Sequence, residues 1–359
     1  MPKYFIISLF IALFATGTHI TNQPVNTETE AKIDSTVQVL HAKGQFNGVV
    51  LLEKNEEIHY SNAMGKANFS WDIPNTLNTR FRIASITKTF TATLVLYLIE
   101  KGELNLEDAI TEYLPDYPPA TGNKITIEHL LALTSGIPDY LNIPGFMETK
   151  SALHHDRNRF PEYFNTLELN FEPGTDWNYG NSEYYLLGLI IEKITGMSYE
   201  SALTKYILEP TGLDNTGFIN STRIDKFAMG YLKTSDGFIK APYIDSSICF
   251  SAGMMYSTAG DLVQFMTALY SEKSILSKEY VVKMTTRRIE DYGYGVFIGN
   301  QNIGDINYQA FVHLGEIHGY ASQVTYFPES DYTLVILDNT QQSPSQLYFA
   351  IRDHLADYF

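Results

Sequence analysis

Phe81-Arg82-Ile83-Ala84-Ser85-Ile86-Thr87-Lys88 runs without a break into Thr89-Phe90-Thr91-Ala92-Thr93-Leu94-Val95-Leu96-Tyr97-Leu98-Ile99-Glu100, and Lys101-Gly102 closes the segment. From Thr89 onward the pattern is apolar on nearly every face of a helix, which marks a helix buried all round at the centre of a core. Ser85 and Lys88 stand three apart at its head, as neighbours on one face. The backbone N–H groups of a first helical turn are unpaired, and the helix dipole favours negative charge there. A hydroxyl and an amine in such a place can make a nucleophile without a histidine–aspartate relay.

Working outward, Ile33, Val37 and Leu40 recur at helical spacing, and Gly44 ends that helix. Residues 49–52 read as a buried strand, Glu56-Glu57 as an acidic turn, and 58–63 as the hairpin partner. Residues 103 to about 280 read mainly as helices and loops. Within them, 184–194 is a helix stopped by Gly196, and 257–269 is another, capped by Ser257 or Thr258. From 294 the pattern changes to short β-rich runs at 294–298, 310–314, 322–327 and 333–337. Ser343 then caps a last helix, with Pro344 at its first position and Leu347, Ile351 and Leu355 on one face. Strands near both ends with a helical middle predict an α/β chain of the α+β kind. The expected architecture is a mainly antiparallel sheet flanked by helices, with an inserted, mostly helical subdomain.

Composition narrows the function classes. The 25 Lys and Arg against 41 Asp and Glu give a net charge of −16, which argues against nucleic acid and against an electrostatic grip on anionic membrane. Lys3, the apolar run 4–15 and the small residues Ala15 to Thr18 resemble a secretion signal. That run is shorter than the roughly 20 apolar residues a spanning helix takes, so no stable membrane span is expected once the signal is removed. An uncleaved N-terminal anchor is the competing reading. The expected organisation is a signal peptide at 1–17, a leader and N-terminal helix over 18–45, and a catalytic domain over 46–359, whose helical subdomain covers about 103–280. The location is exported, periplasmic or secreted. The single cysteine, Cys249, excludes an intrachain disulfide and reads as a buried small hydrophobe between Ile248 and Phe250. His154-His155 lacks the companions of a metal site, and no metal or other cofactor is expected.

Tyr-x-Asn occurs more than once, among other places as Tyr60-Ser61-Asn62, Tyr140-Leu141-Asn142 and Tyr179-Gly180-Asn181. The last lies in a glycine-bearing loop just before a helix and is followed by His313-Leu314-Gly315. Plainer roles stand beside each residue: Ser85 as a helix cap, Tyr179 as a packed loop aromatic, His313 as a satisfied core histidine. No Gly-x-Ser-x-Gly elbow and no phosphate-cradling loop is present.

With these residues in place the chain resembles the serine β-lactamase and penicillin-binding-protein superfamily. The nearer branch holds class C β-lactamases, D-alanyl-D-alanine carboxypeptidases, D-aminopeptidases and related esterases. The likeness extends over about 46–337. The segment 81–88 is similar to the family's nucleophile segment. His129-Leu130-Leu131-Ala132-Leu133-Thr134-Ser135-Gly136-Ile137-Pro138 resembles its following landmark. Ser251-Ala252-Gly253 with Ser257-Thr258-Ala259-Gly260-Asp261-Leu262 resembles another. His313-Leu314-Gly315 with Gly319-Tyr320 is similar to the third motif, where His-x-Gly replaces Lys-Thr-Gly in several relatives.

The resemblance implies a β-lactamase/transpeptidase-like fold and an acyl-enzyme. Ser85 would attack the carbonyl, and Lys88 with Tyr179 would take its proton as a coupled pair, unassigned between them. Asn181 would bind the substrate's amide or support Lys88. The N–H groups of Ser85 and of Glu316, next after Gly315, would form the oxyanion hole. His313 would put a partly charged ring where relatives carry a lysine.

Leu314 departs from the pattern, because lactam- and D-alanine-recognising relatives place Thr or Ser there to hold a carboxylate. Ester or amide hydrolysis of a small molecule or peptide without an obligatory C-terminal carboxylate follows, with a D-configured or cell-wall-derived peptide among the candidates. A carboxypeptidase, a β-lactamase and a non-catalytic penicillin-binding sensor are the alternatives. On this reading Leu314→Thr should raise the rate of acylation by a penicillin in stopped-flow mixing. An unchanged rate would mean that another group already holds the carboxylate.

Overall fold

The computed structural model describes residues 27–219 and 223–359, so the expected signal peptide and residues 18–26 of the leader lie outside the described residues. The helix Thr27–Ala42 buries Ile33, Val37 and Leu40 on one stripe, as their spacing predicts. Strands β1 (Gly48–Lys54) and β2 (Glu57–Ala63) then form a hairpin. Its turn falls on Asn55 and Glu56, whose φ values of 51° and 63° fit a primed turn and the twist of paired strands. Glu57 therefore belongs to the strand and not to the turn.

The short segments that follow carry little sequence signal. Strand β3 (Lys66–Asn68) pairs with β4 (Ile73–Pro74). A three-stranded sheet joins β5 (Phe81–Arg82), β6 (Gly217–Phe218) and β9 (Met255–Ser257), while β7 (Tyr231–Thr234) pairs with β8 (Gly237–Lys240). Strands of two to four residues are too short to show a period of two, which is why the region between 103 and 280 read as helix and loop alone. The β5–β9 pairing, Phe81 with Ser257 and Arg82 with Tyr256, fixes the chain just ahead of Ser85.

The main sheet is antiparallel throughout, in the order β10-β11-β12-β13-β1-β2. Its C-terminal strands are β10 (Phe297–Ile303), β11 (Ile306–Ile317), β12 (Tyr320–Phe327) and β13 (Tyr332–Asp338). The run expected from 294 starts only at Phe297, because Gly293 to Val296 make a turn closed by a 2.9 Å bond from Gly293 N to Val296 O. Strand β1 lies between β13 and β2, and its first five residues are buried on both faces. Val49 and Leu51 enter one core with the long buried helix, while Val50 and Leu52 enter a second core with Ile33, Val37, Leu347 and Ile351. The terminal helices Thr27–Ala42 and Pro344–Ile351 thus cover one face of the sheet. This is the α+β architecture read from the sequence.

The helix Thr87–Glu100 is buried along nearly its whole length. Phe90 stacks on Phe265 at 3.8 Å. The hydroxyls of its threonines stay satisfied, Thr89 by Gly295 O and Thr91 by Ser251 O, both at 2.7 Å. The helix Ser182–Thr195 stops at Gly196, in the left-handed conformation. Thr258, not Ser257, caps the helix Ala259–Met266 by accepting from Asp261 N. Ser343 holds the N-cap position of the last helix but makes no side-chain cap bond there.

Gly48 has no room for a side chain, since a Cβ would lie 1.8 Å from Leu337 O on the paired strand. Gly48→Ala should therefore push β1 off β13 and cost at least about 1–3 kcal/mol in urea unfolding. An unchanged midpoint would show that these strands pair more loosely than the register implies.

Candidate active site

Ser85 is presented by a 3₁₀ turn, Ala84–Ile86, directly ahead of the long buried helix. Ala84 takes φ 45°, a left-handed conformation that costs a non-glycine residue on the order of 1–3 kcal/mol. The turn leaves Ser85 half-buried between the buried Ala84 and Ile86. Strand β11 crosses against it. A Cβ on Gly315 would lie 2.1 Å from Ile83 O, so only glycine lets the strand approach so closely. Ser322 on β12 donates to the same carbonyl at 3.0 Å and ties the sheet to the turn.

Lys88 is completely buried. Its ammonium donates to Asn181 Oδ1 at 2.7 Å, to Ser85 Oγ at 3.1 Å and to Ala252 O at 3.1 Å. The three donors of the group are thereby used, as a charge taken out of water requires. Ala252 O comes from the end of the segment Ser246–Gly253, in which Phe250 takes φ 34°. The ring centres of Tyr179 and Tyr184 lie 5.0 Å and 5.8 Å from the same ammonium.

Tyr179 is half-buried and stacks on Phe297, with Trp177, Tyr292 and His313 completing an aromatic cluster. It thus meets Lys88 through its ring. Asn181 uses both ends of its amide on the protein, with Nδ2 donating to Asp139 Oδ2 at 3.0 Å. Of the two roles open to Asn181, support of Lys88 is the one its geometry displays.

His313 requires a correction. The buried ring donates from Nδ1 to Leu314 O at 2.7 Å, leaving Nε2 as an acceptor without a partner among the described residues. Burial, reinforced by the Lys88 charge, depresses its pKa from 6.5 to about 3, against a smaller opposing effect of the Leu314 bond. The ring is neutral at physiological pH, not partly charged, and supplies no cation for a substrate carboxylate.

Strand β11 pairs with β10 only as far as Val312, opposite Phe297, so residues 314–317 have a free edge. A two-residue turn, His318-Gly319, closes the Ile317–Tyr320 pair on the other side. Alternation along an antiparallel ladder then turns the N–H of Glu316 away from β12 and toward that edge. The Glu316 side chain is exposed and accepts from Gln341 Nε2 at 2.8 Å.

A pocket of about 310 Å³ opens over Ser85 and Asn181. Leu141, Met147, Ile244 and Ile248 make an apolar wall, and Glu316, His318 and Gln341 a polar rim. Among the described residues, no lysine or arginine lines it. Cys249 also lines the pocket and is half-buried, where the sequence suggested burial alone. Desolvation pushes its thiol up, which keeps it protonated.

Sequence reasoning missed the second ring of this site. Asp139, Ser135, Glu183 and the carbonyl of Ala252 were not singled out, although all but Glu183 lie in or beside quoted stretches. Glu183 accepts from Ser135 Oγ at 2.9 Å. Burial pushes it up to about 8, so it keeps its proton at neutral pH. Asp139 is raised as well, by burial, with Leu141 N–H, Lys88 and Asn181 opposing. Of the other Tyr-x-Asn copies quoted, Tyr60 and Asn62 both bind Asp34, while Tyr140 is a buried ring that lines the pocket. Among the described residues there is no cluster able to hold a metal, and no helix long and apolar enough to cross a membrane.

The family model described as Beta-lactamase matches residues 33–357. Penicillin-binding protein 4* of Bacillus subtilis (strain 168) is 31% identical over 328 residues, covering 85% of this chain and 70% of that protein. The crystal structure of a penicillin binding protein from Bacillus halodurans superposes with a TM-score of 0.76 at 28% identity, covering 88% of this chain and 98% of that one. A D-stereospecific amidohydrolase from Streptomyces sp. superposes with a TM-score of 0.77 at 26% identity, covering 90% and 98%.

The neutral His313 has a thermodynamic consequence. Its folded pKa of about 3 lies below the ordinary 6.5, so between these values the unfolded chain binds a proton that the folded ring refuses. Its contribution to stability is lost as pH falls through that window, by about 1.4 kcal/mol per unit. His313→Gln removes this titration. The stability difference between the variant and the parent should move by about 3 kcal/mol in the variant's favour from pH 7 to pH 4, read by urea unfolding. A difference that stays constant would mean that the ring is charged in the folded protein.

Proposed function

The chain is a serine hydrolase of the beta-lactamase family, and from that premise we propose that it cleaves ester or amide bonds through an acyl-enzyme on Ser85. The observation that carries this reading is the Ser85 hydroxyl 3.1 Å from a completely buried ammonium whose other two bonds hold it in place. Ser85 Oγ attacks the substrate carbonyl carbon, and the hydroxyl proton passes to the Lys88–Tyr179 pair in its singly deprotonated form, amine with phenol or ammonium with phenolate. The N–H groups of Ser85 and Glu316 face the oxygen that becomes negative. As the carbonyl re-forms, the bond to the leaving alcohol or amine breaks and the pair returns its proton to that group. Water then attacks the acyl-serine ester along the same route, giving a carboxylic acid and free Ser85.

Three features support a substrate without a required carboxylate: the neutral His313, the exposed Leu314, and a pocket lined by no lysine or arginine. The apolar wall suits an apolar acyl or side-chain group. The likeness to a D-stereospecific amidohydrolase supports a D-configured amide or peptide as the natural class. Support for export comes from the signal-like run within 1–17 and from penicillin-binding relatives.

Purified protein should hydrolyse p-nitrophenyl butyrate and a D-amino acid amide faster than nitrocefin. Ser85→Ala should lose on the order of 10³-fold or more in kcat with an unchanged circular dichroism spectrum. Full ester turnover in that variant would sink the assignment, and rapid nitrocefin turnover would move the substrate class to lactams.

A further inference from the structure

Asp139 belongs to none of the three motifs, yet it completes a chain of bonds behind the nucleophile. Lys88 Nζ donates to Asn181 Oδ1 at 2.7 Å, and Asn181 Nδ2 donates to Asp139 Oδ2 at 3.0 Å. The two ends of an asparagine amide are nearly the same shape, so its direction is chosen by its partners. Turned the other way, Asn181 would set an NH₂ against the Lys88 ammonium and an oxygen against a carboxylate. With Asp139 present, only one direction satisfies both sides. Without it, nothing among the described partners on the far side asks for the amide's N–H.

The carboxylate is itself held in place. Asp139 Oδ1 accepts from Leu141 N at 3.2 Å. Ser182 accepts from Tyr140 N at 3.1 Å and donates to Pro138 O at 2.8 Å, which clips the loop around Asp139 to the start of the helix that follows Asn181. Asp139 also keeps 93% of its surface out of solvent, at 7% exposure, so water is a poor substitute for it.

We infer that Asp139 is a positioning residue: acting through the Asn181 amide, it fixes the Lys88 ammonium against the Ser85 hydroxyl. The inference rests on the reading of Ser85 and Lys88 as the acylating pair. It assigns Asp139 no contact with substrate.

A double-mutant cycle tests it on the full-length protein, with p-nitrophenyl butyrate as substrate. Asp139→Asn should lower kcat about 10- to 100-fold, the scale of a small misplacement of a reacting group, with KM within about twofold. In an Asn181→Ala background the same substitution should cost less than about twofold, because the intermediary is already gone. An equal loss in both backgrounds, or a loss confined to KM, would overturn the inference. Should Asp139→Asn not fold, Asp139→Glu displaces the carboxylate by one methylene and is read by the same cycle.

A second measurement separates this inference from its premise. Failure of the parent protein to turn over any ester would remove the Ser85 reading by itself. The Asn181 side-chain amide protons, followed by NMR, should still exchange at least about tenfold faster in Asp139→Asn, since a buried bond to a charged acceptor is lost. Unchanged exchange would overturn the inference whatever the activity.

Discussion

The burial of one ammonium group organises this molecule. Lys88 has no contact with solvent, and a charge in that position is tolerable only when every donor has an acceptor. Its acceptors come from three places far apart in the chain: Ser85 at the head of its own helix, Asn181 before a second helix, and Ala252 at the end of a third segment. The requirement to bring these together explains features that otherwise look costly. Ala84 and Phe250 both hold left-handed backbone conformations within the segments that deliver Ser85 and Ala252. Local strain of this kind persists where surrounding packing over-determines it, and here the surroundings are two largely buried helical segments.

The sheet supplies the other half of the site. Strand β13 pairs with β1, so the C-terminal meander is joined to the N-terminal hairpin and the terminal helices close over one face. The opposite face meets the turn that carries Ser85, where Gly315 lets β11 come against Ile83. Because β10 stops pairing at Val312, the edge beyond it is left for something other than a strand. A free edge, the Ser85 hydroxyl and an apolar wall meet around one pocket.

Electrostatically the site is more economical in charge than its sequence implies. Two titratable groups close to Lys88 are held neutral at pH 7, His313 by a depressed pKa and Glu183 by a raised one. Burial is the first cause in both, acting with opposite sign on a base and an acid. The ammonium therefore faces the Asp139 side across the Asn181 amide without a second charged neighbour from either of these groups. A substrate meeting this pocket finds no lysine or arginine on its lining.

Much of this was legible in one dimension. The all-round apolar run after Ser85, the spacing of Ile33, Val37 and Leu40, and the β-rich runs after 294 fixed the elements, because helix and strand periods are local properties of the chain. The order of Ser85-x-x-Lys88, Tyr179-x-Asn181 and His313-x-Gly315 supplied the family. Strands of two to four residues stayed invisible, since so few positions cannot show a period, and so did the role of Asp139 and the proton on Glu183. Protonation depends on how deeply a group is buried and on which charge lies beside it, and neither is a property of neighbours in sequence. Local period and motif order are written along the chain, and they mark the helices, the long strands and the motifs of Ser85, Tyr179 and His313. Packing in three dimensions makes His313 neutral, brings Lys88 to the ring of Tyr179 and sets a carboxylate behind Asn181. Those are consequences of distance and desolvation, which exist only once remote segments are packed together.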